Sequence, residues 1–183
     1  TLPLLFYGTA EQKARYLPRL MSGELIAAYA LTEPGSGSDA LGAKAKAVRL
    51  PNGDFRLTGV KQFITNGGFA DVYITFAKVD GEHFSAFIID KGTPGVSLGP
   101  EERKLGIKGS PTGSPSFTDV RVPHENLIGE EGKGLHVALG TLERTRLGAA
   151  AQAVGIAQGA IDYAVGYAKE RIAFGKPIIE LQG

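Results

Sequence analysis

The chain changes its hydrophobic rhythm twice. Near the start, Leu17 and Leu20 share a helical face with Lys13, and Thr9 followed by Gln12 has the spacing of a capping box. This predicts a short helix that Pro18 weakens and Ser22-Gly23 stops. From about Leu25 to Pro123 the period drops to two. Ala43-Lys44-Ala45-Lys46-Ala47-Val48 alternates, and Pro51-Asn52-Gly53-Asp54 turns it into Phe55-Arg56-Leu57-Thr58. Val72 to Val79 returns through Asp80-Gly81 as Phe84 to Asp90, Gly92-Thr93-Pro94-Gly95 turns again, and Ser116 to Val122 adds a strand. Short strands joined locally, with no helix between them, predict an antiparallel barrel or sandwich. From about Gly134 to Arg171 the period becomes helical, through Leu135, Leu139, Leu142, Leu147, Ala151, Val154, Ala157, Ile161, Ala164 and Ala168. The fold class is therefore α+β.

Composition sharpens this picture in one respect. Glycine supplies 26 of 183 residues, roughly twice its usual share, with no collagen period. Gly148, Gly155, Gly159 and Gly166 fall inside the long helix, at roughly 1 kcal/mol each relative to alanine. Small residues there make sense where another backbone packs very close. A helix of this length needs partners throughout, so oligomerisation or further helices must supply them. The abrupt start at a helix tail likewise suggests residues that precede Thr1.

Charge and residue usage exclude several classes. Twenty Lys+Arg against nineteen Asp+Glu give +1 with no basic block, so no nucleic-acid footprint is present. Zero cysteines exclude a disulfide scaffold, a zinc ribbon and a thiol nucleophile. His83, His124 and His136 have no second ligand at metal spacing. The N-terminus lacks the features of a signal peptide, and Leu147 to Ile161 is too short and too polar for a membrane span. No G-x-S-x-G, H-E-x-x-H or Walker sequence occurs.

Three segments could carry chemistry. Thr32-Glu33-Pro34-Gly35-Ser36-Gly37-Ser38-Asp39-Ala40 contains G-x-G-x-x-A, but a strand follows it where a dinucleotide fold needs a helix. It reads as a tight surface loop, or as one that holds an anion with backbone N–H groups. Phe63 and Thr65 lie two apart on one side of a strand. They suit a planar heteroaromatic ligand, or simply a core phenylalanine and an edge threonine. Glu143-Arg144-Thr145-Arg146 sets two guanidiniums and a carboxylate within one helical turn, as a solvated face or as an anion site. Lys169 to Pro177 reads as a basic helix end with a glycine–proline stop.

Taken in order, these segments resemble the acyl-CoA dehydrogenase family. Tyr29-Ala30-Leu31-Thr32-Glu33-Pro34-Gly35-Ser36-Gly37-Ser38-Asp39 resembles the family's T-E-P-x-x-G-S-D signature, and Phe63-Ile64-Thr65-Asn66-Gly67 its W-I-T-N-G segment. Asp119-Val120-Arg121-Val122-Pro123, Gly129-Glu130-Glu131-Gly132-Lys133-Gly134 and Glu170-Arg171 through Phe174-Gly175-Lys176-Pro177 follow in the family's order. The resemblance spans essentially the whole chain. It implies residues 1–24 as the end of an N-terminal helical domain, 25–128 as a middle β-domain and 129–183 as the start of C-terminal helices.

The resemblance also implies a function. FAD-dependent α,β-dehydrogenation would convert an acyl-CoA thioester to a trans-2-enoyl-CoA and pass electrons to electron-transfer flavoprotein, as in fatty acid β-oxidation. Tyr29, Leu31 and Thr32 would contact the isoalloxazine, Phe63 would pack on it, and Thr65 would approach N5. Gly37 and Ser38 would lie where flavin meets the pantetheine of CoA, and Glu143 and Arg146 would contact CoA. Arg171, Phe174 and Gln182 would reach the FAD of a neighbouring subunit, implying a dimer or a homotetramer. The implied setting is the cytoplasm, or the mitochondrial matrix in a eukaryote. Phe63 stands where the family usually has tryptophan. One branch places the catalytic glutamate at the position of Thr145, and Glu143 lies about 200° round the helix from it. The base is therefore expected outside this chain. A non-catalytic truncated fragment and an acyl-CoA oxidase-like relative are the alternatives.

Overall fold

The computed structural model describes residues 1–182. Helices α1 (Leu2–Tyr7) and α2 (Ala10–Ser22) open the chain. The capping box forms: the Gln12 N–H donates to Thr9 Oγ1 at 3.2 Å, and the Thr9 N–H to Gln12 Oε1 at 3.1 Å. Gly23 closes α2 in the left-handed region. Pro18 does not break the helix. Tyr16, Leu17 and Leu20 pack on the sheet from both sides of it, and that burial outweighs one missing N–H.

Ten strands follow in the first part of the chain. They are β1 (Ala27–Ala30), β2 (Lys46–Arg49), β3 (Phe55–Val60), β4 (Ile64–Thr65) and β5 (Val72–Val79). Then come β6 (His83–Asp90), β7 (Val96–Leu98), β8 (Thr112–Gly113), β9 (Pro115–Val122) and β10 (Leu127–Ile128). The main sheet runs β10-β6-β5-β2-β3-β9-β7 with β1 also on β5, while β4 and β8 form a separate pair. The α+β class holds, with a short N-terminal helix and a long C-terminal one. The expectation of an antiparallel barrel or sandwich is corrected: the sheet is mixed, because β1 and β2 both pair parallel with β5, and it does not close.

That mixed pairing positions the site. β6 covers one edge of β5 along its whole length. The opposite edge is shared, with β1 matching Val72–Thr75 and β2 matching only Lys78 and Val79. Between them, residues 31–45 leave the sheet as a loop.

The core lies on both faces of the sheet. Phe55, Leu57, Tyr73, Phe87 and Phe117 gather on one side. Ile74, Phe76, Phe84 and Ile88 face the other, under Leu4, Tyr16, Val137 and Ala138. Burial on two faces explains why β5 and β6 read as nearly continuous apolar runs. Tyr16 and Tyr73 are buried with their hydroxyls on Asp90 and on the Gly67 carbonyl. Burial, with help from Asp90 and Asp71, pushes each phenol from 10.0 up to about 12. The fold favours the neutral phenols, so this stability is intact below pH 10 and is lost as pH rises toward 12. Melting temperature should therefore fall across that window, and Tyr16→Phe with Tyr73→Phe should flatten the fall.

Helix α3 (Gly134–Glu170) begins against the sheet. A Cβ on Gly134 would stand 2.7 Å from the Phe84 carbonyl oxygen and 2.8 Å from Ser85 Cα, so only glycine lets the helix start there. Gly134→Ala should cost about 1–3 kcal/mol in denaturant unfolding. The chain divides into two compact units, Thr1–Thr141 and a second starting at Leu142. In the second, α3 is exposed from Glu143 to Tyr167, and no described atom outside the helix lies within 4 Å of a Cβ on Gly148, Gly155, Gly159 or Gly166. Beyond α3, the predicted helix stop is instead a hairpin of β11 (Ile172–Ala173) and β12 (Lys176–Pro177), with Phe174 and Gly175 both at positive φ.

Candidate functional site

The site grows from the gap between β1 and β2. Past Ala30 the chain turns tightly at Glu33–Ser36, where the Glu33 N–H donates to the Ser36 carbonyl at 2.9 Å and the Ser36 N–H returns to Glu33 at 3.1 Å. Ser36 Oγ donates to the Asp39 carbonyl at 2.6 Å, and the Asp39 carboxylate accepts from the Gly42 N–H at 3.2 Å. Gly37 and Ser38 stay exposed on the outer limb. Gly35 and Gly37 have no positive φ, and a Cβ on either would meet nothing within 4 Å. The chain itself therefore does not demand glycine there.

Beneath the loop lies a buried ion pair. Lys61 is wholly buried, with Nζ 2.7 Å from Glu33 Oε1 and 3.2 Å from the Leu31 carbonyl. The Glu33 carboxylate also accepts from the Lys44 N–H at 2.6 Å and the Ala45 N–H at 3.1 Å. Burial lowers the pKa of Lys61, and the Glu33 carboxylate opposes that shift. The Gln62 N–H donates to the Thr32 carbonyl at 2.9 Å. Loop and strand are thus joined side by side.

Two residues beyond Lys61, Phe63 is 60% exposed in left-handed backbone, at φ 57. An L-residue pays roughly 1–2 kcal/mol for that conformation. Phe63 lies just before β4 rather than on one side of a strand with Thr65 as expected, because its left-handed backbone breaks the alternation; both residues are exposed, on either side of the buried Ile64. Phe63 is therefore not a core residue. Neighbouring bonds hold the segment: Lys61 N–H to the Pro115 carbonyl and Asn66 N–H to the Pro111 carbonyl, both at 2.9 Å.

The remaining sequence-predicted residues are placed as follows. Leu31 and Thr32 sit half-buried where the loop departs, beside the Phe63 segment. Tyr29 instead turns toward α3, its ring 5.3 Å from Phe76 and its hydroxyl 3.3 Å from the Ala138 carbonyl, and burial pushes its phenol well above the ordinary range. In the second unit, Glu143 and Arg146 are exposed three apart on α3, hence on one face. Arg171 and Gln182 are exposed, and Phe174 is 93% exposed at the hairpin tip. Sequence reasoning gave Lys61 and Glu33 no role. The available signal was a lysine and a glutamate inside two motifs, and pairing them needs contacts across 28 residues. Among the described residues no three His, Cys, Asp or Glu are grouped to hold a metal, and no helix is long and apolar enough to cross a membrane.

Comparison with known proteins adds an independent line. The family model for the acyl-CoA dehydrogenase middle domain matches residues 28–120, and that for the C-terminal domain matches 132–183. An acyl-CoA dehydrogenase of Bacillus subtilis is 51% identical over 100% of this chain and 49% of its own length. An acyl-CoA dehydrogenase of Bacillus anthracis solved in complex with FAD superposes with a TM-score of 0.95 at 51% identity, over 98% of this chain and 31% of that one. Butyryl-CoA dehydrogenase of Megasphaera elsdenii gives 0.93 at 47% identity, over 98% of this chain and 48% of that one. The chain spans about half the length of the B. subtilis relative. With the middle-domain match covering half of it and the motifs standing in order on the matching fold, the chain belongs to the acyl-CoA dehydrogenase family.

Proposed function

We propose that these residues form the flavin-facing part of an FAD-dependent acyl-CoA dehydrogenase. One observation carries the reading: Phe63 is held exposed in strained backbone beside Thr65 and the Thr32 loop. Strain of this kind persists where a function requires it. The residue set suits a flavin, with an exposed aromatic ring at Phe63, hydroxyl side chains at Thr32 and Thr65, and glycines at which a Cβ would meet nothing, so the loop backbone is approachable.

When bound, FAD supplies a hydride acceptor. Leu31, Thr32, Phe63 and Thr65 would hold and orient its ring, and Tyr29, packed on Phe76, would border it only from the β1 side. Gly37 and Ser38 would lie where the flavin meets the pantetheine of CoA. Glu143 and Arg146 take the CoA portion. Arg171, Phe174 and Gln182 serve the FAD of a neighbouring subunit. FAD held there would serve as acceptor for the β-hydride of an acyl-CoA thioester, and a carboxylate from outside residues 1–183 would take the α-proton, so that the product would be a trans-2-enoyl-CoA. Electrons pass on to electron-transfer flavoprotein, as in β-oxidation, in the cytoplasm or the mitochondrial matrix. The uncovered length of α3 fits an oligomer, a dimer or a homotetramer.

Flavin uptake tests the reading. Purified protein titrated with FAD should acquire a resolved visible flavin spectrum and quench flavin fluorescence at one flavin per chain. A colourless protein that leaves added FAD free would overturn it. Peroxide release in air, without an added acceptor, would favour oxidase chemistry instead.

A further inference from the structure

The Glu33–Lys61 pair joins three pieces of backbone at one buried point. Lys61 Nζ holds the Leu31 carbonyl, where the loop leaves β1, and the Glu33 carboxylate holds the N–H groups of Lys44 and Ala45, where it returns. Lys61 itself stands two residues before Phe63. The loop's two ends and the root of the aromatic segment are thus tied to the same two charges. A buried ion pair is a poor source of stability, since well-packed apolar residues of like volume often do as well or better. Directionality is what the charges supply and apolar residues do not.

The bonds set specific orientations. A trans peptide directs its C=O and N–H oppositely. With the Leu31 carbonyl drawn to Lys61 Nζ, the N–H of Thr32 points away from Lys61. The next carbonyl, of Thr32, is fixed by the Gln62 N–H. Both peptide planes around Thr32 are therefore set by consecutive residues of the segment that presents Phe63.

We propose that Glu33 and Lys61 are positioning residues, which preset Thr32 and its loop against Phe63 and Thr65 in the arrangement that receives the flavin ring. This inference rests on the flavin reading above and assigns a function to two residues that touch no ligand in it. The pair acts before binding, so its effect is measurable without the cofactor.

The test compares wild type, Lys61→Met and Glu33→Gln/Lys61→Met in the full-length protein. In the apoprotein, hydrogen exchange should quicken at the amides of Gln62, Lys44 and Ala45 in the double variant, while its melting temperature stays close to wild type. With FAD, the double variant should lose affinity on the order of tenfold to a hundredfold, and its visible flavin spectrum should shift and blur. A double variant that binds FAD with wild-type affinity and spectrum overturns the proposal and leaves the flavin reading standing. One no more stable than Lys61→Met alone also overturns it, because the pair would then be holding the fold itself. Failure of wild type to take up FAD removes both.

Discussion

Lys61→Met should destabilise the apoprotein by about 3–5 kcal/mol, and adding Glu33→Gln should recover most of that loss. The asymmetry follows from burial. Side-chain exposure is 0% at Lys61 and 6% at Glu33, so removing the cation leaves a carboxylate with two backbone N–H partners and no countercharge. The double variant buries neither charge. Exposed pairs such as Arg19–Glu24 should show nothing comparable, since solvent screens them. The pH dependence has a definite sign. The lysine pKa is lowered in the fold, so below its ordinary 10.5 the unfolded chain binds more protons, and stability from this group rises as pH climbs toward that value. The phenols of Tyr16 and Tyr73 act oppositely, and only above pH 10. Denaturant unfolding at a series of pH values should show a rise, then a fall, and Lys61→Met should remove only the rise.

Phe63→Gly should stabilise the apoprotein and impair it as a flavin protein. The backbone at φ 57 is costly for phenylalanine and free for glycine, while the ring, 60% exposed, gives little packing in return. The expected gain is about 1 kcal/mol in unfolding free energy. Stacking of an aromatic side chain on a heteroaromatic ring is worth about 1–3 kcal/mol, so FAD affinity should fall roughly tenfold or more. Phe63→Ala separates the two effects. It removes the ring but keeps a Cβ in left-handed backbone, so affinity should fall as far with no stability gain. Equal stability in the Gly and Ala variants would show that the strain is absent.

Sequence legibility followed the range of the interaction. The Thr9–Gln12 capping box is a contact three residues long, and it formed with both bonds. Ala43, Ala45 and Ala47 alternate with Lys44 and Lys46, and the alanines are the buried set. The β5–β6 hairpin turns where Asp80-Gly81 marks it. What failed was non-local. The parallel pairing of β1 with β5 joins Ala27 to Val72, and four residues of Ala27-Ala28-Tyr29-Ala30 carry no sign of parallel partnership. Local turn signals therefore suggested an antiparallel sheet. Phe174-Gly175 reads equally as a helix stop or a tight hairpin turn, and tertiary pairing of Ile172 with Pro177 decided it. At the site, Phe63 and Thr65 stand two residues apart, so a short segment was enough to single them out, and both are exposed in the fold. Their support was not legible, because a lysine reads as a surface residue until the fold brings Glu33 to it.

Anaerobic titration with an acyl-CoA, followed in the visible flavin bands and by mass spectrometry of the thioester, tests the central claim most directly. The account predicts that the full-length protein, loaded with FAD, bleaches in proportion to added acyl-CoA. The thioester should lose two hydrogens to become the trans-2-enoyl-CoA, and the flavin should regain colour when electron-transfer flavoprotein is added. A flavin that stays fully oxidised while saturated, intact acyl-CoAs of short, medium and long chain are recovered unchanged would contradict it.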